Sequence, residues 1–278
     1  MKVVITCGGL GTRLLPFSKE MPKEMAPIFT QGQEGVDVKP LLQEIYENLY
    51  SEGLRDFCFV TGKAKRAIED HFSPDLNIKD VPKRLSRFYD MLVKSRIMWI
   101  NQLSPKGFGD AVHVAHPYVD NEDFILHAGD VLIQPKQDNP IKKLASFAFN
   151  KNVEAVILLK KVKDPERHGI ATIDTNLEKN VFKVKKVEEK PVAPKTDLGI
   201  MPVYFFRESI FSALEKIKPG VNNEIQLTDA IQRLIEDGKT IVAIKIDDDT
   251  VLDVGTPESF WTALNYSYNS LPQKEQSN

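Results

Sequence analysis

"VVITCGGLGTRLLPFSKEMPKEM", residues 3–25, decides how the rest of the chain is read. It opens with Val3, Val4 and Ile5, a short β-branched run of the kind that forms a buried strand. A secretory signal would need a longer apolar region followed by small residues at a cleavage site. Here the run breaks instead into Gly8, Gly9 and Gly11, with Arg13, Lys19 and Lys23 close behind. An α/β sheet presents its ligand beyond the carboxyl end of a parallel strand, so a strand followed by a glycine loop marks a candidate site. Two phosphate-loop patterns can be tested directly. GxxxxGK[ST] does not occur, and GxGxxG would start at Gly9, use Gly11 and need a glycine where Leu14 stands. Both fail, but their physics survives. Glycines without a Cβ let backbone N–H groups approach an anion, and Arg13 and Lys23 can supply charge, the arginine as a planar fork. Pro22 and Pro27 bracket Lys23 and restrict that segment. The alternative is a tight turn whose basic residues are merely solvated.

Working outward, strand and helix signals alternate through the first half. "KPLLQEIYENLYSEG" (39–53) carries helical apolar spacing and ends at Gly53. "DFCFVTG" (56–62) reads as a strand, "KAKRAIEDHF" (63–72) as a short helix, and residues 81–96 as an amphipathic helix. "IMWINQ" (97–102) is a strand, residues 107–119 a loop into a helix, and "DFILHAGDVLI" (123–133) one further strand. Residues 139–151 read as a helix and "VEAVILLKKV" as a strand. Repeated β-then-α units of this length predict a parallel sheet with helices on both faces. The second half changes rhythm. "GIATIDT", "VFKVKKVEEKP" and "LGIMPVYFF" are short strands in succession, and helices return at "ESIFSALEKI", "NEIQLTDAIQRLIEDG" and "TPESFWTALNYSYNS". No Gly/Ser/Pro linker divides the halves. The expected organisation is one domain over 1–278, with a nucleotide-type α/β half over about 1–135, a mixed-sheet half over about 136–265, and a tail over 266–278.

Composition narrows the function classes. The 278 residues suffice to bury a large core without a metal or disulfide staple. A net charge of −2 gives no bulk argument for nucleic acid or an anionic membrane, so any bound anion must be held by a local cluster. Cys7 and Cys58 lie in expected strands with no CxxC pair, which reads as small core residues in a reducing compartment. No apolar run approaches the ~20 residues of a membrane helix. A cytoplasmic protein is expected. His71, His113, His116 and His127 show no ligand spacing among themselves, so no zinc site is expected. The lysines of "LLKKVKDPER" and "FKVKKV" read as a solvated sheet face, and Asp247, Asp248 and Asp249 as a solvated hairpin turn.

"GGLGTRLLPFSKEMPKEMAPI" resembles the signature of the sugar nucleotidyltransferases, which join a nucleoside triphosphate to a sugar 1-phosphate. Its "PKEM" form is most similar to bacterial UTP–glucose-1-phosphate uridylyltransferases. "NQLSPKGFGDAVHVAHPYV" (101–119), "HAGDVLI" (127–133), "VEEKP" (187–191), "NEIQLTDAIQRLIE" (223–236) and "LDVGTPESFWTA" (252–263) resemble further family segments, in family order across residues 1–265. The resemblance implies a Rossmann-like mixed, mainly parallel sheet flanked by helices, with a smaller sugar-binding β subregion. It implies attack by a sugar-phosphate oxygen on the α-phosphorus of UTP, giving UDP-glucose and pyrophosphate.

It also implies roles. Gly8, Gly9, Leu10, Gly11 and Thr12 would bind the nucleotide, and Arg13 and Lys23 would grip the departing phosphates. Gln102 matches the uracil-reading glutamine, an amide having both the donor and the acceptor that the imide edge requires. Gly107 would let the base lie against the backbone. Asp130 and Asp253 match two magnesium-binding aspartates; each follows an apolar strand, and oxygen-only ligation suits Mg2+. A lone aspartate in either place would otherwise read as a helix cap or turn residue. Lys190 would hold the sugar phosphate and Glu189 the sugar hydroxyls, with His168 and Gly169 lining the sugar. A homodimer or homotetramer is implied.

Three departures from the family pattern bear on specificity. Leu103 follows Gln102 where the uridylyl enzymes have glycine and the thymidylyl enzymes proline. Pro202 replaces a glycine, and "TQGQEGVD" (30–37) is an extra polar stretch, expected as a loop near the site's mouth. Uracil and thymine differ by one methyl, worth only ~1–3 kcal/mol in a pocket. A glucose-1-phosphate thymidylyltransferase, or mixed UTP/dTTP use, is therefore the alternative enzyme reading. A non-catalytic nucleotide-sugar-binding homologue is a third, which loss of Arg13, Lys23 or either aspartate would mark; all four are present. An added left-handed β-helix domain would show hexapeptide repeats after residue 260, and none stands there.

Overall fold

The computed structural model describes residues 1–32, 34–74, 81–136, 139–150 and 152–272. In chain order the strands are β1 (Lys2–Cys7), β2 (Pro27–Gly32), β3 (Gly35–Pro40), β4 (Asp56–Thr61), β5 (Arg96–Asn101), β6 (Phe124–Ala128), β7 (Val131–Gln134), β8 (Ala155–Lys161), β9 (Gly169–Glu178), β10 (Val181–Glu189), β11 (Leu198–Phe206), β12 (Ile241–Lys245) and β13 (Thr250–Asp253). The helices are α1 (Leu41–Ser51), α2 (Arg66–His71), α3 (Lys83–Val93), α4 (Phe108–His113), α5 (His116–Val119), α6 (Pro140–Ser146), α7 (Ser209–Lys216), α8 (Leu227–Glu236) and α9 (Pro257–Asn269).

A nine-stranded mixed sheet in the order β5-β4-β1-β6-β11-β8-β12-β10-β9 runs through both halves of the sequence. β5, β4, β1 and β6 are parallel, β11 runs antiparallel to β6 and β8, and β9 and β10 form an antiparallel pair. The expected β–α alternation therefore gives the parallel half, and the run of strands gives the mixed half. Successive residues of the central strands point to opposite faces. Val3, Ile5, Phe57 and Phe59 enter one core with α1, whereas Val4, Cys58, Val60 and Leu126 enter the other with α7 and α8. α1 docks through Leu41, Leu42, Ile45, Tyr46 and Leu49, and the chain leaves it through Gly53 at φ +87°. α9 starts with Pro257 and a reciprocal Thr256–Ser259 cap. Truncating a fully buried ring such as Phe59 to alanine costs about 3–5 kcal/mol.

Several expectations change. Residues 123–133 do not form one strand: β6 ends at Ala128, the chain turns at Gly129–Asp130, and β7 leaves the large sheet to pair antiparallel with β13. Of the polar stretch 30–37, Thr30–Gly32 and Gly35–Asp37 lie in β2 and β3, which pair as a hairpin and not a loop, and β2 packs on α9, where Phe29 N–H donates to Ser267 Oγ at 3.1 Å. α9 continues to Asn269, inside the expected 266–278 tail, and residues 273–278 lie outside the described residues. Lys151, the last residue of the expected 139–151 helix, also lies outside them; α6 ends at Ser146, followed by a 3-10 turn. Pro202 sits where β11 breaks register against β8, between Met201 and Tyr204, which suits a residue with no N–H to give the ladder. The Asp247–Asp249 turn is bound by lysine: Lys160 Nζ donates to the carbonyls of Asp247 (2.9 Å) and Asp249 (2.7 Å).

Candidate active site

The large sheet brings one set of strand ends together. β1, β4, β5 and β6 are in register, with Cys7 beside Thr61, Thr61 beside Asn101, and Thr6 beside Ala128. Their next residues, Gly8, Gly62, Gln102 and Gly129, therefore occupy a single edge. β11 enters at this edge, since it runs against β6, and its Gly199 pairs with Ile170 of β9. Gly169 pairs in turn with Glu189 at the end of β10. Residues expected to hold nucleotide and sugar thus share one rim of one sheet.

Close packing explains the glycines. A Cβ on Gly8 would stand 2.6 Å from Gln102 Oε1, and one on Gly129 would stand 2.7 Å from Cys7 Sγ. Gly9 faces Lys23, whose Nζ would be 3.3 Å from such a Cβ. Gly11 takes φ +64°, and its carbonyl accepts from Ser18 Oγ at 2.6 Å. The turn that follows holds Thr12 and Arg13, both exposed, and Leu10 is exposed as well. Arg13 has no ion-pair partner among the described residues, and its Nη2 lies beside Gly255, two residues past Asp253.

The two aspartates meet through the small β7–β13 sheet. Asp253 lies opposite Val131, and Val254 N–H donates to the Asp130 carbonyl at 3.2 Å. Asp253 Oδ1 accepts from Gly255 N–H at 2.9 Å, which fixes its carboxylate. Burial, and then the negative charge of Asp130, push the Asp253 carboxyl up. Burial would also raise Asp130, but the Lys23 ammonium, ion-paired with it, holds it below the usual carboxylate range. Lys23 in turn resists the lowering effect of burial and is raised, with Asp130 the largest opposing influence, then Glu24. Two half-buried, oxygen-only carboxylates whose charges oppose one another suit a hard cation such as Mg2+.

Gln102 is buried, and its Nε2 donates to Asp110 Oδ2 at 2.6 Å and, more weakly, to the Gly107 carbonyl at 3.4 Å. An ionised carboxylate only accepts, so Asp110 fixes the amide nitrogen and leaves Oε1 facing Gly8. Gly107 opens α4 at φ +116°, where a Cβ would meet the Ile225 carbonyl at 2.6 Å. In the other half, Glu189 Oε2 accepts from Thr228 Oγ1 at 2.7 Å, and Glu189 Oε1 lies 3.2 Å from Lys190 Nζ. Lys190 takes φ +42° and its N–H donates to the His168 carbonyl at 3.0 Å. Gly169 leaves room for Thr228 Oγ1, which would lie 2.8 Å from a Cβ there.

Four residues that the sequence reading passed over complete the arrangement. Asp110 and Thr228 stood in quoted segments but had no assigned role. Glu24 and Lys65 form a buried pair at 2.8 Å beneath the Lys23 turn. Burial raises the Glu24 carboxyl, with Lys65 opposing. Lys65 has no local sequence signal. Both cysteines are free and buried, and burial raises both thiols, Cys58 to about 12. Of the four histidines expected to lack ligand geometry, His113 and His116 do come together, with Glu215. Among the described residues no helix is long and apolar enough to cross a membrane.

A family model described as "Nucleotidyl transferase" matches residues 2–270. The chain is 35% identical, over 99% of its length and 95% of the relative's, to the UTP–glucose-1-phosphate uridylyltransferase of Staphylococcus haemolyticus (strain JCSC1435). It is 38% identical to that of Bacillus subtilis (strain 168), covering 84% of this chain and 80% of the relative. A solved structure of UDP-glucose pyrophosphorylase complexed with UDP-glucose superposes with a TM-score of 0.84 at 29% identity, covering 97% of this chain and 99% of that one.

Proposed function

The chain belongs to the nucleotidyl transferase family, and from that premise we propose that it transfers a uridylyl group from UTP to glucose 1-phosphate, giving UDP-glucose and pyrophosphate. The observation that carries the reading is the convergence of Asp130, Asp253, Lys23 and the Gly8–Gly11 loop at one sheet edge. An oxygen of the sugar phosphate attacks the α-phosphorus of UTP, and the bond to the α–β bridging oxygen breaks, pyrophosphate taking the electron pair. Such a reaction needs no covalent nucleophile; positioning and neutralisation of charge supply the rate.

The residues divide that work. Amides of Gly8 to Gly11 and the exposed Thr12 and Arg13 receive the triphosphate, with Leu10 flanking it. Lys23, held at the loop by Asp130, meets the phosphates from below. Gln102 Oε1 accepts the N3–H of uracil while Gly107 lets the ring approach the backbone. Glu189, steadied by Thr228, binds sugar hydroxyls beside His168 and Gly169, and Lys190 pairs with the sugar phosphate. Magnesium held by Asp130 and Asp253 would supply positive charge to the phosphate oxygens. A cytoplasmic location accords with two unpaired buried thiols. A homodimer or homotetramer is part of the same proposal, and sedimentation at several concentrations tests it.

Purified protein with UTP, glucose 1-phosphate and Mg2+ is expected to release pyrophosphate. A panel of UTP, dTTP, CTP and ATP against several hexose 1-phosphates should rank UTP with glucose 1-phosphate first. No release with any pair would sink the enzymatic reading, and a clear preference for dTTP would replace the uridylyl assignment.

A further inference from the structure

We propose that His113, His116 and Glu215 form a binding site for a divalent transition metal of the zinc type at the seam between α4, α5 and α7. Val114 and Ala115 both keep helical backbone angles between α4 and α5, so His113 and His116, three residues apart, share one face. α7 brings Glu215 against that face, with its Oε1 3.6 Å from His113 Nε2. That separation is too long for a hydrogen bond. Among the described residues Glu215 has no other ion-pair partner. One ligand atom from each of the three residues lies within 4.8 Å of the other two. Tetrahedral zinc spaces its ligand atoms about 3.3 Å apart, so the half-exposed His113 and the exposed Glu215 would have to draw in on His116 to close the set.

The set is partly preorganised. The His116 ring stacks on Phe211 at 4.3 Å and 16°, and Phe211 is buried and stacks on Phe124. One imidazole plane is therefore fixed by the core. Two imidazoles and a carboxylate, with a fourth position open to water, suit zinc and its transition-metal neighbours, whereas magnesium prefers oxygen alone. A metal here would fasten α7 to the helix that carries Asp110, the residue that orients Gln102.

The test uses untagged, chelator-treated full-length protein with Mg2+ in excess, titrated with Zn2+ in a calorimeter. Wild type should bind one equivalent saturably, and Zn2+ should raise its melting temperature. His113→Asn and Glu215→Gln replace exposed or half-exposed groups, so both should fold with the wild-type melting temperature in chelator. Each should weaken Zn2+ binding at least about tenfold and lose the Zn2+-dependent shift. Cobalt should give the visible absorption of a four-coordinate site in wild type only. Absence of saturable binding overturns the proposal. So does binding that both variants retain unchanged, because the metal would then lie elsewhere.

Discussion

Replacing Asp110 by asparagine should change which base the protein accepts more than how fast it works. In the native site Asp110 Oδ2 receives a 2.6 Å hydrogen bond from Gln102 Nε2, so the amide oxygen is turned toward the glycine loop. That oxygen can accept from the N3–H of uracil, whereas N3 of cytosine offers only a lone pair. Turning the amide to suit cytosine would set two acceptors face to face and forfeit a charge-assisted bond worth about 1.5–3 kcal/mol. At 1.36 kcal/mol per decade, this accounts for about 10- to 150-fold of UTP-over-CTP preference. Asparagine can donate as well as accept, so both amide orientations become comparable. The competent fraction for UTP then falls to about half, costing about twofold in kcat/KM, while the UTP/CTP ratio falls by the full 10- to 150-fold. Competitive pyrophosphate-release assays with the two nucleotides read both quantities. A variant that loses UTP activity but keeps the UTP/CTP ratio would refute the reasoning and leave Asp110 a purely structural residue.

Other consequences follow from the buried charges. Asp130→Asn and Asp253→Asn should each lower turnover at least about 10²–10³-fold. Their melting temperatures should diverge: Asp253 is raised by burial and by Asp130, so neutralising it should hold or raise stability, whereas Asp130→Asn gives up its pair with Lys23 and should lower it. Scanning calorimetry of the two variants distinguishes these signs. Glu24→Ala strands Lys65 in the interior and should cost about 3–5 kcal/mol in guanidinium unfolding, whereas Glu24→Leu with Lys65→Met should be nearly neutral or stabilising. Equal loss in the single and double variants would contradict this. His127 is buried and its pKa is lowered to about 4, so the unfolded chain takes up its proton first. Stability should therefore fall as pH drops from about 6.5 toward 4, at up to about 1.4 kcal/mol per pH unit from this residue. His127→Asn should flatten that slope, and unchanged pH dependence would show that the ring is not the responsible group.

The parts of the molecule legible in the sequence are those with local causes. Val3–Ile5 and "DFCFVT" announce buried strands, the α1 and α8 apolar spacings announce helices, and the glycines of the first loop announce a close approach. Tertiary choices were not legible. "FILHAGDVLI" is apolar apart from His127 and Asp130, and nothing in its composition says that the chain changes sheets at Gly129, which packs against Cys7. "TQGQEGVD" reads as a loop because it is polar, yet its two ends pair as β2 and β3, with β2 docked on α9. Asp110, Thr228 and Lys65 were missed for one reason: each acts through a partner far along the chain or in another element. His113 and His116 are neighbours on one helical face, but the carboxylate that gives them meaning comes from α7.

The β7–β13 ribbon makes the protein's chemistry a late arrival. Its two carboxylates are more than a hundred residues apart in sequence, and the second follows β12, the last strand of the large sheet in chain order. A nascent polypeptide synthesised only as far as Ile246 would possess every strand of that sheet and still lack Asp253, half of the proposed cation site. Catalysis, unlike architecture, has to wait for the ribosome to deliver β13 and Asp253.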